Sequence, residues 1–192
     1  FSCFYKKGFD RMNLPQDFKT EMGRILLDSE SFFASLDEKC HTGVRANTLK
    51  ISPKRFLPLI NGVKGNVSWC ESGFYFNGES PGRNAYYRAG LFYIQEPSAM
   101  LPVQLMDIKP GERVLDLCSA PGGKSTFIGE RLKGEGLLVA NDISPSRCKA
   151  VIKNIEKHGI TNALILSEDS GKLADKFPAF FDKILIDAPC SG

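Results

Sequence analysis

Val114-Leu115-Asp116-Leu117-Cys118-Ser119-Ala120-Pro121-Gly122-Gly123-Lys124-Ser125 is the stretch that decides the fold. Its first four residues, Val114–Leu117, read as a short, mostly apolar strand, and the run Gly123–Leu132 behind the turn has helical spacing. Glycines between a strand and a helix allow backbone angles closed to other residues and remove the Cβ that would block a ligand. The helix N-terminus beyond adds unpaired N–H groups. Lys124 supplies a positive charge suited to a carboxylate or phosphate. Two nucleotide-binding patterns fail here. A P-loop needs a glycine five residues before Gly123, where Cys118 stands, and a dinucleotide fingerprint needs spaced glycines, whereas these are adjacent.

Downstream the alternation continues. Leu137–Ala140, Ala163–Leu166 and Lys183–Ile186 read as further strands, and Pro145–Lys157 as a second clear helix. Strand–helix alternation predicts an α/β fold with right-handed crossovers and a parallel, Rossmann-like sheet. Such a sheet binds ligands at the carboxyl ends of its strands, beside the switch in strand order. Each of those ends carries an acid. Asp142 follows the second strand, nineteen residues after Gly123, where a carboxylate accepts hydrogen bonds from the ribose hydroxyls of an adenosine-containing cofactor. Capping of the following helix is the competing reading. Asp169 follows the third strand, placed for an adenine amino group, although a lone Asp is also a common turn residue. Asp187 follows the fourth, in Asp187-Ala188-Pro189-Cys190-Ser191-Gly192.

Upstream the pattern differs. Leu14–Leu36 reads as two short amphipathic helices, with Ser29 and Ser31 as caps or breakers between them. Val44–Ile51 reads as a strand, Pro53 opens a helix through Ile60, and Val67–Trp69 with Phe74–Phe76 reads as a hairpin turning at Cys70–Gly73. The expected organisation is a tail at 1–13, an α+β module at 14–92 and the first part of the Rossmann-like domain at 93–192.

The formal net charge is only +3, which excludes a polybasic protein, but the charge is unevenly placed. Residues 105–192 hold 12 basic and 12 acidic side chains, whereas 39–70 hold six basic ones and no acid. Arg45, Asn47, Lys50, Lys54 and Arg55 are the candidate contacts to RNA phosphates, with Trp69 or Tyr75 to stack on bases. A solvated charged face is the competing reading for any one of them. Six cysteines, with no C-x-x-C pair and no His at zinc spacing, point to reduced thiols in a reducing compartment and to no metal. No apolar run reaches membrane-spanning length and the opening residues lack the order of a secretory signal, so a cytoplasmic location is expected.

The segments VRANTLK (44–50), YIQEPSAM (93–100), VLDLCSAPGGKS (114–125), VANDIS (139–144) and ILIDAPCSG (184–192) resemble the Sun-type, or Nol/Nop/Sun, family of RNA 5-methylcytosine methyltransferases. The N-terminal order is most similar to the bacterial ribosomal-RNA branch. The resemblance implies an S-adenosyl-L-methionine-dependent enzyme in which Cys118, Ser119, Ala120, Pro121, Gly122, Gly123 and Lys124 cradle the methionine part of the cofactor. It further implies that Asp142 holds the ribose, Asp169 contacts the adenine, and Asp187 faces both cofactor and cytosine. Cys190 matches the family's cysteine linked to completing the reaction and releasing the RNA. A cysteine after Pro189, where amino-group methyltransferases carry an aromatic residue, directs the reading towards a ring carbon. Carbon 5 of cytosine is a poor nucleophile, so a thiolate must first add at carbon 6. Proton sharing at ring nitrogen 3, assigned to Asp187, would stabilise the adduct. After methyl transfer a base removes the hydrogen at carbon 5 and the thiol is eliminated. The family's attacking cysteine lies in a later motif with no match here, so it is expected beyond Gly192, and the 192 residues alone are expected to be inactive. Two rival readings stay open: a DNA cytosine methyltransferase attacking through Cys190, and a non-catalytic RNA-binding subunit.

Overall fold

The computed structural model describes residues 14–36, 41–78 and 81–188, and the chain falls into two compact units, Phe1–Cys40 and His41–Gly192. In the first unit, α1 (Gln16–Ile25) and α2 (Ser29–Leu36) are the two expected short helices. The Asp28 carboxylate accepts the Ser31 N–H at 2.9 Å, so Asp28, rather than Ser29 or Ser31, makes the side-chain bond that starts α2. Phe18, Phe32 and Phe33 pack as an aromatic trio with centroids 5.4 to 6.4 Å apart. The expected tail at 1–13 lies outside the described residues.

The second unit holds two four-stranded sheets. The first contains β1 (Thr42–Ala46), β2 (Val63–Val67), β3 (Cys70–Phe76) and β4 (Phe92–Ile94), all antiparallel, in the order β2-β3-β1-β4. The second contains β5 (Arg113–Asp116), β6 (Leu137–Asn141), β7 (Ala163–Leu166) and β8 (Lys183–Leu185), all parallel, in the order β7-β6-β5-β8. The order reverses at β5, with β6 on one side and β8 on the other, which is the switch point expected of this architecture. Connecting helices are α3 (Pro53–Phe56), α4 (Ala85–Arg88), α5 (Leu101–Leu105), α6 (Gly123–Leu132), α7 (Pro145–His158) and α8 (Ser170–Lys176).

Side chains alternate across a strand, and this sorts the antiparallel sheet into two faces. Val44, Ala46, Phe74, Phe76 and Phe92 join Phe56 and Ile60 in one apolar cluster. Arg45 and Tyr93, directly opposite each other in the ladder, turn the other way, towards α6. Val67, Cys70 and Met100 belong instead to the larger cluster that covers the parallel sheet, with Val114, Phe127, Ile128, Leu138 and Val151. Gly90 lets the two layers meet, since a Cβ there would stand 2.0 Å from the Lys157 carbonyl oxygen.

Three expected boundaries shift for local reasons. The first strand stops at Ala46 rather than Ile51, because the Asn47 side chain accepts the Leu49 N–H and its carbonyl accepts those of Lys50 and Ile51, closing a turn. The helix from Pro53 holds α-geometry only to Phe56 and tightens to a 3-10 turn over Leu57–Leu59, where Pro58 has no N–H to donate. The hairpin turns at Ser68–Trp69, not at Cys70–Gly73. Gly73 is a strand residue paired with Arg45, and its Cβ would come 2.6 Å from the Met100 sulfur.

Candidate active site

The carboxyl ends of β5, β6 and β8 converge on the turn before α6. Gly122 caps that helix with φ +105, in the left-handed region that favours glycine, and the turn is closed by the Gly122 N–H donating to the Ser119 carbonyl at 2.7 Å. The turn is tied to its neighbours on every side. Ser119 N–H donates to the Asn141 carbonyl, Arg147 donates to the Ala120 carbonyl at 3.1 Å, and Asn154 donates to the Pro121 carbonyl at 2.8 Å. Gly123 lies beside Tyr93, where a Cβ would be 3.1 Å from the ring. The segment Cys118–Lys124 is therefore a rigid cradle at the sheet's edge.

Asp142 is buried and serves this cradle. Its Oδ2 accepts the Ala120 N–H at 3.3 Å and faces the Arg147 guanidinium at 3.4 Å, while Oδ1 accepts the Ser144 N–H at 3.0 Å. The capping reading of Asp142 is not borne out, because the N-cap of α7 is Ser144, without a side-chain cap bond, and Asp142 closes the turn just ahead of it. Each carboxylate oxygen can accept more than one bond, so these contacts leave capacity for a ligand. Asp169 is exposed and caps α8, its Oδ1 accepting the Gly171 and Lys172 N–H groups at 2.9 and 3.4 Å. Asp187 meets the cradle from β8, with its Oδ2 2.6 Å from Lys124 Nζ. Its carboxylate stays about half exposed, so a base could still reach it. Cys190 lies outside the described residues.

Two residues of this edge carry no role expected from the sequence. Asn141 is one of them. Its side chain donates to the Leu117 and Glu168 carbonyls and accepts the Glu168 N–H, tying the ends of β5, β6 and β7 together. Asp116 is the second, almost wholly buried at the tip of β5. Ser125 Oγ donates to its Oδ2 at 2.6 Å, while Oδ1 has no partner, and burial pushes its carboxyl up to about 6 against the pull of that hydrogen bond and of Lys124. Cys118, expected at the start of the cofactor cradle, is a half-buried free thiol. Burial, helped by Asp116, Asp142 and Asp187, raises its pKa, so this edge does not favour a thiolate there.

The basic stretch of the antiparallel sheet divides sharply. Arg45 is fully buried and bound to Glu130 at 2.9 Å, to the Gly123 carbonyl at 3.0 Å, to Thr126 Oγ1 at 2.9 Å and to Gln95. Asn47 is fully buried too, donating to the Gly90 and His158 carbonyls. Both were expected to meet phosphates, and the structure corrects this, because their polar atoms are consumed inside the protein. Lys50 Nζ donates to the Ala89 and Lys157 carbonyls at 2.8 and 2.6 Å, just past the end of α4 and in the last turn of α7, and remains exposed. Lys54 and Arg55 are exposed and make no ion pair among the described residues. Trp69 is partly buried, its indole N–H given to the Pro97 carbonyl, and Tyr75 lies against His41.

Among the described residues no cluster of three or more His, Cys, Asp or Glu side chains could hold a metal ion, and no helix is long and apolar enough to cross a membrane.

Residues 103–192 match the family described as 16S rRNA methyltransferase RsmB/F, and residues 14–97 match the N-terminal domain of 16S rRNA methyltransferase RsmF. A ribosomal RNA small subunit methyltransferase F from Enterobacter sp. (strain 638) is 38% identical over 192 residues, covering 93% of this chain and 40% of the relative. Its namesake from Escherichia coli (strain SE11) is 38% identical over 191 residues with the same shares. The chain thus spans about two fifths of the length of these curated relatives. Among solved structures, a methyltransferase homologue protein from Pyrococcus horikoshii is 28% identical with TM-score 0.78, covering 93% of this chain and 65% of that one. NSun6 from the same organism shares the fold at 20% identity and TM-score 0.78, over 92% of this chain and 71% of that one. Two adjoining family matches across nearly the whole chain, on a parallel sheet with an acid at each strand end, lead to one conclusion: the chain belongs to the Sun-type family, in its bacterial ribosomal-RNA methyltransferase branch.

Proposed function

We propose that the whole protein methylates carbon 5 of a cytosine in ribosomal RNA, in the cytoplasm, with S-adenosyl-L-methionine as methyl donor. The observation that carries this reading is the meeting of Lys124 with Asp187 at 2.6 Å, which joins the glycine cradle to the D-A-P-C-S-G strand end at the switch point of the sheet. The cradle fits such a cofactor. Asp116 Oδ1 and the Ser119 hydroxyl are buried beside it without partners, two polar atoms that a ligand carrying donors and acceptors would satisfy. When bound, the cofactor supplies an electrophilic methyl group on a sulfonium.

In this reading Cys118–Lys124 hold the methionine part, Asp142 the ribose, and Asp169 the adenine through the carboxylate oxygen its cap leaves over. Asp187, oriented by Lys124, accepts or shares the proton at ring nitrogen 3 of the cytosine. Cys190 keeps its proposed part in completing the reaction. Residues 14–92 are taken as the RNA-contacting module and 93–192 as the start of the methyltransferase domain, although the change from antiparallel to parallel pairing comes only after β4 and so favours a boundary past Ile94. Of the five proposed phosphate contacts in that module, Lys50, Lys54 and Arg55 remain, since only these are exposed.

Incubating the whole protein with 16S rRNA, a DNA of the same sequence and labelled cofactor should label carbon 5 of cytosine in RNA alone. Labelled DNA, or cofactor binding with no transfer to either, would support one of the rival readings. Asp142→Ala should weaken cofactor binding by about 1.5–3 kcal/mol, the scale of a lost hydrogen bond to a charged group. Unchanged affinity by calorimetry would remove Asp142 from the site and leave it as a tie between the turns before α6 and α7.

A further inference from the structure

We propose that α7 carries a track for the RNA phosphate backbone, made by Lys149, Lys153 and Lys157 and continued by Lys50. The inference rests on the RNA substrate proposed above and names a surface for it on the methyltransferase sheet's own helix.

The three lysines are spaced four residues apart and so share one stripe of a helix that runs from Pro145 to His158. The opposite face is the anchored one, with Cys148, Val151, Ile155 and His158 buried. Lys149 and Lys153 are exposed, whereas Lys157 is partly covered, its Nζ 3.9 Å from the centre of the Tyr87 ring. Lys50 enters at the end of the row, held by the Lys157 carbonyl at 2.6 Å. Like charges four apart on a helix repel, and here the repulsion is compounded. Lys153 lies near enough to lower the pKa of Lys157, and Lys157 that of Lys50, with burial the larger cause in both.

No compensating acid is engaged. Glu156, on the same helix, pairs with none of them, and none of the four ammonium groups makes an ion pair among the described residues. A solvated helix face ordinarily interleaves both signs at this spacing. A row of cations held together without an acid is electrostatically matched to a polyanion with regularly spaced charges. Its position supports the same partner. α7 starts three residues after Asp142, at the cofactor edge, and ends beside Asn47 and Lys50 of the antiparallel layer, so the stripe runs from one to the other.

Lys149→Gln with Lys153→Gln is the test in the whole protein, since neither side chain makes a contact that holds the fold and both packing lysines are kept. Filter binding of transcribed 16S rRNA should show affinity reduced about tenfold at 0.1 M salt, and a logarithmic salt slope shallower by about 1.4–1.8, the loss of two phosphate contacts. Cofactor affinity should be unchanged. Parent and double variant with equal slopes would overturn the track while leaving the RNA reading intact. An acidic protein would be the better partner if the variant lost only binding to assembled small subunits and kept its affinity for naked rRNA. A parent that binds no RNA at all would overturn the proposed function, and this inference with it.

Discussion

Replacing Arg45 by methionine is expected to lower the unfolding free energy of the protein by about 3–5 kcal/mol, the cost of stranding one member of a buried ion pair. Arg45 and Glu130 both have fully buried side chains, and the guanidinium meets the carboxylate at 2.9 and 3.4 Å. Without it Glu130 is left in an apolar interior, where burial already raises its pKa despite the neighbouring guanidinium. The Gly123 carbonyl and Gln95 would lose their donor as well, so the first turn of α6 should loosen together with the ion pair. Phe127 and Tyr93, with ring centres 4.5 and 5.6 Å from the guanidinium carbon, form an apolar slot that a methionine can fill. Arg45→Met with Glu130→Leu should therefore recover most of the loss, because a buried pair exchanged for apolar groups of similar volume is often neutral. Urea unfolding of the four proteins gives the coupling energy directly. If the two single losses simply add in the double variant, Arg45 and Glu130 are not a coupled pair.

The same residue shows where the sequence was legible and where it was not. The parallel sheet could be read because buried strands are short apolar runs and the helices between them keep a three- and four-residue spacing. Gly123–Leu132 and Ala163–Leu166 have the bounds expected of them. Arg45 looked like a surface charge because composition carries no direction. Its orientation follows from strand alternation, which sends Val44 and Ala46 into one core and Arg45 the opposite way, and from Glu130, 85 positions downstream, waiting there. No local window joins those two residues. Asn47 was misread for a related reason, since an asparagine that closes a turn and binds two distant carbonyls looks in sequence like any exposed polar residue. The acids at the strand ends were visible because the fold repeats them. That Asp187 pairs with Lys124, and that Asp169 spends part of its carboxylate as a cap, depends on the spacing of strands β5 and β8 and on the start of α8. Both arise only once the chain is folded.

Asp116 leads to an expectation with a definite sign. Its carboxyl, pushed up to about 6 by burial, binds a proton more tightly in the folded protein than in the unfolded chain, where an ordinary value near 4 applies. Between those two values the folded state holds more protons, so stability must fall as pH rises through about 4 to 6 and level off above. Two units correspond to about 3 kcal/mol, a large share of the stability of a single domain. Other carboxylates act in the opposite direction. Asp107, Glu112 and Asp182 have pKa values lowered by hydrogen bonds from Lys109, Arg113 and their backbone neighbours, and they gain stability as pH rises. The comparison that isolates Asp116 is therefore the difference between the parent and Asp116→Asn, which keeps an oxygen to accept from Ser125 but has no proton to lose. Measured by urea unfolding from pH 4 to 7.5, the parent should lose about 2–2.5 kcal/mol relative to the variant, nearly all of it below pH 6.5. A difference that stays constant across that range would mean that Asp116 is ionised in the folded protein throughout, stabilised there by Lys124 and the Ser125 hydroxyl in spite of its burial.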